Sequence, residues 1–380
     1  MVKAKKIAIC VALLSAAAPK LLLAADAPTS SPPAVPSWAD TLNAWGVAVN
    51  GYVAASYYAS NGYRGGYHEF DENHDTFQLD QAGLTVAYQP KQGFGAVIDL
   101  MAGEDARIVH ASEDGHDNSF DMRQAFVQYA TGPLTIIGGK YVTLAGAEVI
   151  NPTQNTNFSR SLLFTLMEPL THTGVRATLA VSDTVSFIAG INNGWNITSI
   201  SYGPKTGELG MAWTPSKALA LTAQAYLGKF GATLPTPIDA NRSLVDVVAT
   251  YNATPSLTLV VNADWDKQDE AFGPGSASAS WYGLAGYANY ALNSQWRVSL
   301  RLEYLEDKDG FVTGVSDGQH LWESTVTFGY APRKNFELRL EGRYDDAQRN
   351  TFVRSQAVGT IPADLENSLS ELAVQGVYKF

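Results

Sequence analysis

SLSELAVQGVYKF, residues 368–380, ends the chain on an aromatic residue and alternates between two kinds of side chain. One side of an extended segment carries the apolar and aromatic residues: Leu372, Val374, Gly376, Tyr378 and Phe380. The other side carries mostly polar ones: Glu371, Gln375 and Lys379, with Ala373 and Val377 among them. Because the side chains of a strand alternate between its faces, this segment is predicted to be a strand with one apolar and one mostly polar face.

The same period of two recurs along the chain, and sixteen segments show it from residue 46 onward. In one of them, Leu300 and Leu302 alternate with Arg301 and Glu303. Two segments, 76–89 and 120–130, alternate less cleanly, which leaves their register open. The predicted strands are 46–58, 76–89, 94–103, 120–130, 134–143, 170–180, 184–193, 205–213, 218–228, 242–251, 256–266, 280–291, 295–305, 320–330, 335–345 and 368–380.

The connections between these segments alternate strictly between seven short turns and eight longer polar loops. The short turns include Thr131-Gly132, Ser182-Asp183 and Asn293-Ser294. Outer-membrane barrels have an even number of strands, short periplasmic turns and longer external loops. Sixteen strands with both termini in the periplasm give seven periplasmic turns and eight external loops, which accounts for this alternation. A soluble all-β protein, which is the alternative, has no reason to make every second connection long.

Strands with one apolar and one charged face need different surroundings on their two sides. Lipid outside and water inside meet this need, and closure of the sheet removes the unpaired edge that hydrocarbon does not tolerate. Aromatic residues recur near the predicted strand ends, as in an interfacial girdle: Tyr88, Tyr129, Trp213, Tyr251, Tyr290, Tyr330 and Tyr378. The predicted fold class is therefore all-β, a transmembrane antiparallel β-barrel, and its most favoured strand number is sixteen.

The amino-terminal region differs in composition from the rest of the chain. Residues 1–25 combine three early lysines with an apolar core and a small-residue exit, which predicts a secretory signal peptide. Residues 26–45 are rich in proline and serine and are predicted to be a flexible periplasmic leader, followed by the barrel at 46–380. The single cysteine, Cys10, lies in the signal peptide, so the mature chain has no disulfide or cysteine metal site. The net charge of −11 disfavours nucleic acid as a partner.

Several stretches resemble the OmpL-like family of outer-membrane β-barrel porins. They are WGVAVNGYVAASYY (45–58), FQLDQAGLTVAY (77–88), LMAGEDA (100–106), GKYVTLAGAEVINPTQNTNFSRSLLF (139–164), EPLTHTGVRAT (168–178), NNGWN (192–196) and LEYLEDKDG (302–310). The resemblance spans the mature chain and implies a porin-like barrel in the outer membrane of a Gram-negative bacterium. Phe380 and Tyr378 also resemble the terminal aromatic signal that the barrel-assembly machinery reads.

The loop between predicted strands 5 and 6, residues 144–170, is unusually apolar and carries few charges: Glu148, Arg160 and Glu168. If this loop were exposed to water, it would form an apolar surface patch, which is unfavourable. We therefore favour a loop folded into the barrel, as in general porins by resemblance, over a lid or a subunit contact. The charged wall residues predicted to join it at a pore constriction are Arg297, Arg301, Glu303, Arg339, Glu341 and Arg343.

Two interpretations of these wall charges stay open. One is a transverse field that orients dipolar solutes at the constriction. The other, slightly favoured for the set as a whole, is a self-neutralised network that stiffens the wall, with one or two arginines facing Glu148 and Glu168.

No metal, cofactor or catalytic residue is assigned. His68, His74, His110 and His116 lie beside acids in the first two long loops, but acidic external loops are more often solvated or bridged to lipopolysaccharide. The run Asp307–Gly310 resembles part of a calcium loop but has Gly318 where the twelfth-position glutamate belongs. H-E-x-x-H and phosphate-loop motifs are absent from the sequence. A G-x-S-x-G run occurs at Gly314–Gly318 (GVSDG), but it lies in the loop between two predicted strands and not between a strand and a helix.

These patterns favour a passive diffusion channel for small hydrophilic solutes in the bacterial outer membrane. The alternative is a barrel that acts as an adhesin or an enzyme. The expected partners are outer-membrane lipid and lipopolysaccharide, the barrel-assembly machinery and the solutes themselves. Association into a homo-oligomer is left open.

Overall fold

The computed structural model describes residues 42, 44–62, 67–116, 118–199, 203–230, 240–355 and 364–380. The predicted signal peptide and nearly all of the predicted leader lie outside these residues. From Leu42 to Phe380 the chain forms a single compact unit.

Sixteen antiparallel strands close into one barrel, each hydrogen-bonded to its neighbours in the chain and the last to the first. The barrel strands are β1 (Val47–Ser60), β2 (Thr76–Tyr88), β3 (Gly93–Ala102), β4 (Phe120–Thr131), β5 (Leu134–Val142), β6 (Thr171–Ala180), β7 (Val185–Asn192), β8 (Thr206–Trp213), β9 (Leu219–Phe230), β10 (Ala240–Thr254), β11 (Leu257–Gln268), β12 (Ala279–Ala291), β13 (Trp296–Asp307), β14 (Gln319–Arg333), β15 (Phe336–Ala347) and β18 (Ser368–Lys379). The predicted fold class and strand number are confirmed.

The remaining regular elements lie in the long loops. Helix α1 (Glu104–Asp114) follows β3, and a 3₁₀ turn (Pro152–Gln154) and the short helix α2 (Leu162–Leu166) lie between β5 and β6. A two-stranded hairpin, β16 (Phe352–Ser355) and β17 (Asp364–Glu366), lies between β15 and β18. Among the described residues, no helix has the length and apolarity needed to cross a membrane.

The carboxyl terminus closes the barrel against β1. Gly51 N donates to Phe380 O and Phe380 N donates to Gly51 O, both at 2.9 Å. A Cβ atom on Gly51 would lie only 2.3 Å from the Phe380 ring, so a glycine is required where this ring crosses the first strand. The Phe380 side chain is 67% exposed on the outer face.

Two β-bulges explain why strands β2 and β4 alternate poorly in the sequence. In β2, Ala54 pairs with Gln81 and Ala55 with Leu79, so Asp80 is an extra residue and both Asp80 and Gln81 are buried. In β4, the register shifts in the same way around Arg123. A bulge places two successive side chains on one side of the strand and interrupts the period of two.

The outer face of the barrel is apolar and has aromatic residues near both rims. At the end with the short turns, the aromatics that are at least two-fifths exposed include Tyr88, Phe94, Tyr129, Trp213, Tyr251, Tyr290, Trp296 and Tyr378. At the other end stand Phe77, Phe120, Trp265, Trp322 and Tyr344. Trp322 and Tyr330 on β14 are about 27 Å apart along the strand. A tilt of about 40° reduces this to about 21 Å, close to the apolar band of roughly 25 Å expected of such barrels.

Candidate functional site

The loop between β5 and β6, residues 143–170, lies inside the barrel and is called the inner loop below. Its backbone donates to inward-facing side chains on distant strands. Gly146 N donates to Asp246 of β10 at 3.1 Å and Ala147 N donates to Asn262 of β11 at 2.7 Å. The inner loop therefore contacts the wall along much of its length, as its apolar composition predicted.

Local hydrogen bonds give the inner loop its shape. Ser161 caps α2 by accepting from Phe164 N at 2.9 Å. Asn155 accepts from Val149 N at 2.9 Å and donates to Val149 O at 2.6 Å, which ties the two sides of the loop together. The apolar residues pack inward: Leu162, Leu163 and Met167 join a buried cluster with Trp281 and other residues of the wall.

Arg301 of β13 is the main link between the wall and the inner loop. Its guanidinium contacts Glu148 of the loop at 2.8 Å and the wall carboxylates Glu303 at 2.9 Å and Glu323 at 3.1 Å. It also donates to Ser159 O and Ser159 Oγ, each at 2.9 Å. The Arg301 and Glu303 side chains are fully buried, so these charges meet directly rather than across lumen water.

Two further arginines on β15 bind the backbone of the inner loop. Arg339 donates to Pro152 O at 3.0 Å and to Asn155 O at 2.9 Å. Arg343 donates to Arg160 O at 2.7 Å. Such carbonyls of an irregular loop need donors when they are buried, and the two guanidinium groups supply them.

Glu341 and Arg160 complete this side of the site. Glu341 of β15 accepts from Phe158 N at 2.6 Å and from Ser159 N at 2.9 Å. Arg160 points back into its own loop and donates to Val149 O at 3.0 Å and Ile150 O at 2.9 Å. Arg160 thus stabilises the fold of its own loop, and its charge does not point into the lumen.

Arg297 stands apart from the inner loop, nearer the short turns. It pairs with Glu337 at 2.6 Å, and the two side chains are 22% and 19% exposed. Arg301 and Glu323, by contrast, have no exposed side-chain area. The wall charges therefore pass from water-accessible to buried at the level where the inner loop crosses the barrel.

Glu168 does not face an arginine, which differs from the expected arrangement. It is buried near two wall aspartates, Asp246 and Asp264. The arginines of β13 and β15 instead meet the earlier part of the loop, around Glu148 and residues 152–160. The reason is the path of the chain, because the last residues of the loop return toward β6.

A small cavity lies between the inner loop and the wall. It has a volume of about 140 Å³ and is lined by Glu148, Asn155, Tyr287 and Asn289, among others. At about 30 Å³ for each water molecule in the liquid, this is room for about five waters. Polar groups of the inner loop therefore line a space large enough for water molecules, next to the contact between Arg301 and Glu148.

Buried ion pairs that the sequence does not reveal also lie on the wall, and two of them involve arginines. Arg123 of β4 binds Asp99 at 2.9 Å, and Arg176 of β6 binds Glu208 at 2.8 Å. Arg123 lies at the β4 bulge, which hides its inward direction. Arg176 of β6 and Glu208 of β8 meet across the intervening strand β7, so the pair depends on the register of three strands.

His68, in the first long loop, forms ion pairs with the wall and with its own loop. His68 contacts Asp71 at 2.9 Å, Asp345 of β15 at 3.2 Å and Glu371 of β18 at 3.3 Å. Burial and the guanidinium of Arg343 act to lower the pKa of His68. The three carboxylates outweigh both and raise this pKa well above its usual value, so His68 is a cation that holds its loop to the wall.

His172, Ser161 and Asp307 make local contacts. His172 stacks on Tyr226 with ring centroids 4.8 Å apart, and Ser161 caps helix α2. Asp307 accepts from Phe311 N and Thr313 N at 3.0 and 2.8 Å, which explains its acidic run without a bound metal ion.

Comparison with known proteins relates this barrel to outer-membrane porins. Of the solved structures, the outer membrane channel DcaP of Acinetobacter baumannii is 14% identical, with a TM-score of 0.60 over 88% of this chain and 97% of that chain. OprB of Pseudomonas putida is 11% identical, with a TM-score of 0.61 over 90% and 96%. OmpT of Vibrio cholerae in a trimer form is 13% identical, with a TM-score of 0.59 over 88% and 99%.

At these identities the structural likeness establishes the fold. No curated protein matches the chain. A family model described as "Putative beta-barrel porin-2, OmpL-like" matches residues 46–380, which include every strand of the barrel. The chain therefore belongs to the OmpL-like β-barrel porin-2 family of outer-membrane proteins.

Proposed function

We propose that this protein is a passive diffusion channel for small hydrophilic solutes and that the inner loop forms its constriction. The observation that carries the proposal is the buried contact of 2.8 Å between Glu148 of the loop and Arg301 of the wall. A sixteen-stranded barrel leaves an aqueous channel, and a loop fixed across it narrows that channel. The family assignment supports the same function.

The contacts of the wall charges favour a self-neutralised network that stiffens the wall over a transverse field. Arg297, Arg301, Arg339 and Arg343 each contact a wall carboxylate. Because the basic strip is neutralised within itself, we expect modest ion selectivity. Removal of one member would unbalance the network and shift selectivity in a predictable direction.

The test is single-channel recording in planar lipid bilayers with a salt gradient. Replacement of residues 150–165 by a short Gly/Ser linker is expected to increase conductance, because it removes the segment that crosses the lumen. Glu148→Gln is expected to shift the reversal potential toward anion selectivity, and Arg301→Gln toward cation selectivity. Both shifts are expected to shrink near 1 M salt, where the screening length is about 3 Å.

The matched control is Glu366→Gln in the β16–β17 hairpin, where the carboxylate pairs with Arg354 and is 40% exposed. This variant makes the same chemical change away from the inner loop and is expected to keep the parent selectivity. Unchanged conductance in the loop replacement would place the constriction elsewhere and refute the proposal.

We further propose how the chain reaches and enters the membrane. Residues 1–25 act as a signal peptide, residues 26–45 form a periplasmic leader, and both termini and the short turns face the periplasm. The barrel-assembly machinery recognises the last strand through Tyr378 and Phe380, both of which are exposed on its outer face. The longer loops then meet lipopolysaccharide. Cysteine labelling from outside intact cells, at a short turn and at a long loop, tests this orientation.

Association into a homo-oligomer is part of the proposal. Its support is the trimer form named for the Vibrio cholerae relative of the same fold. Chemical cross-linking of the protein in native membranes tests it, and a monomer alone would count against it.

A further inference from the structure

Three buried carboxylates meet where the end of the inner loop touches the wall. Glu168 comes from the loop, Asp246 from β10 and Asp264 from β11, and one oxygen atom of each lies within 4.8 Å of the other two. Their residues are 7%, 0% and 4% exposed, respectively. None of the three forms an ion pair within the part of the chain that the structure describes.

Hydrogen bonds hold each aspartate by one carboxylate oxygen and leave the other oxygen available to a ligand. The Asn262 amide donates to Asp246 Oδ1 at 2.9 Å and to Asp264 Oδ1 at 3.0 Å. Gly146 N also donates to Asp246 Oδ1, at 3.1 Å. The opposite oxygens, Asp246 Oδ2 and Asp264 Oδ2, are buried without a hydrogen-bond partner.

Glu168 is an independent indication of a ligand, because the loop brings it to this position with both carboxylate oxygens buried and unpartnered. The backbone makes room for it at Gly146, where a Cβ atom would lie 1.9 Å from Glu168 Oε2. Such crowding of carboxylates is unfavourable unless protons or a cation compensate it.

We propose that Glu168, Asp246 and Asp264 bind a Ca²⁺ ion that joins the inner loop to the barrel wall. The donors are all carboxylate oxygens, which suit hard cations and not the zinc class. Calcium–oxygen distances are about 2.3–2.6 Å, so two ligands on opposite sides of one ion lie about 4.8 Å apart. The separations of the three carboxylates are within this span.

Asp266 is not included in the ligand set. It follows Asp264 on the same face of β11, but the cation Arg242 lies near it. The Asn262 amide is included as the orienting group, because it fixes both aspartates and is itself held by Ala147 N at 2.7 Å. The site therefore joins loop and wall through side chains and backbone alike.

The test is isothermal titration calorimetry of the full chain, refolded in detergent and freed of metal with EDTA, using CaCl₂ at constant ionic strength. One saturable site is expected in the parent protein. Glu168→Gln, which alters the loop ligand, and Asp264→Asn, which alters the wall ligand, are each expected to weaken Ca²⁺ affinity at least tenfold. Asp183→Asn, in the exposed turn between β6 and β7, is the control and should keep the parent affinity.

A second measurement separates ligand loss from misfolding. The melting temperature of the parent is expected to rise with CaCl₂ beyond its change in NaCl of equal ionic strength, and this rise should be absent in both ligand variants. No saturable Ca²⁺ binding in the folded parent would overturn the proposal and leave protons as the compensating charge. Parent-like affinity in both variants would overturn it as well, by placing the ion elsewhere. Neither result depends on whether the barrel conducts solutes.

Discussion

Replacement of Arg301 by glutamine tests whether the link between wall and loop is a buried electrostatic contact. The change removes the cation that Glu148, Glu303 and Glu323 share, at distances of 2.8 to 3.1 Å. Removal of one partner from a buried ion pair costs about 3–5 kcal/mol, because the remaining charge is left uncompensated. Arg301→Gln is therefore expected to lower the free energy of unfolding by about this amount.

The assay is urea unfolding of the protein refolded in lipid vesicles, followed by tryptophan fluorescence. The matched control is Arg354→Gln, because Arg354 and Glu366 form an exposed pair whose side chains are 39% and 40% accessible. Exposed pairs contribute roughly 0–1 kcal/mol, so the control should change stability by no more than that.

A combined variant identifies the source of the loss. When Glu148→Gln and Glu323→Gln are added to Arg301→Gln, fewer uncompensated carboxylates remain, and at least half of the lost stability should return. A buried electrostatic link at Arg301 is refuted if Arg301→Gln lowers stability no more than Arg354→Gln does. It is also refuted if the combined variant is no more stable than Arg301→Gln alone, because the loss would then come from packing.

Three other regions give predictions of their own. Deletion of Phe380 should reduce the outer-membrane yield of folded barrel, and a normal yield would contradict the assembly role. Gly51→Val should reduce it as well, because the new side chain would collide with the Phe380 ring. Leu300→Arg on the outer face of β13 should lower the free energy of unfolding in vesicles by about 2–4 kcal/mol, while Leu365→Arg in the hairpin should change it by no more than about 0.5 kcal/mol. Equal costs would contradict the assignment of Leu300 to the lipid face. His68 has a raised pKa in the folded state, so its stabilising contribution is complete below the unfolded value of about 6.5 and is lost as pH rises through the folded pKa. The loss of stability in His68→Gln should accordingly be largest near pH 6 and shrink at alkaline pH, and a pH-independent loss would contradict the ion pairs.

The strands and the infolded loop were predictable because lipid, water and the barrel interior each require a different kind of side chain. Alternation between Leu300 and Arg301 is sufficient to predict which side of β13 meets lipid, and the observed bounds agree with the predicted strands within a few residues. The inner loop was predictable because residues 144–170 include ten Leu, Val, Ile, Phe and Met side chains, whose exposure to water would be unfavourable. The register of β2 and β4 was not, because each bulge adds one residue that no composition pattern marks.

The partners of the charged residues could not be predicted from the sequence, for a different reason. Phe158 N meets Glu341 across 183 positions of the chain, and Arg301 meets Glu148 across 153. Such pairs depend on the register and closure of the whole barrel. Glu168 shows the limit most clearly: its charge favoured an arginine partner, yet the path of the loop brings it to two aspartates.

The inner loop is held at two separate places, and this determines how its variants should rank. On one side Arg301, Arg339 and Glu341 bind residues 148–159. On the other side Asp246 and Asn262 bind Gly146 and Ala147. Loss of one attachment leaves the other in place, so a single substitution should change conductance less than the loop replacement does. If Arg301→Gln alone raised conductance as far as the replacement, the attachment at Asp246 and Asn262 would have no part in fixing the loop.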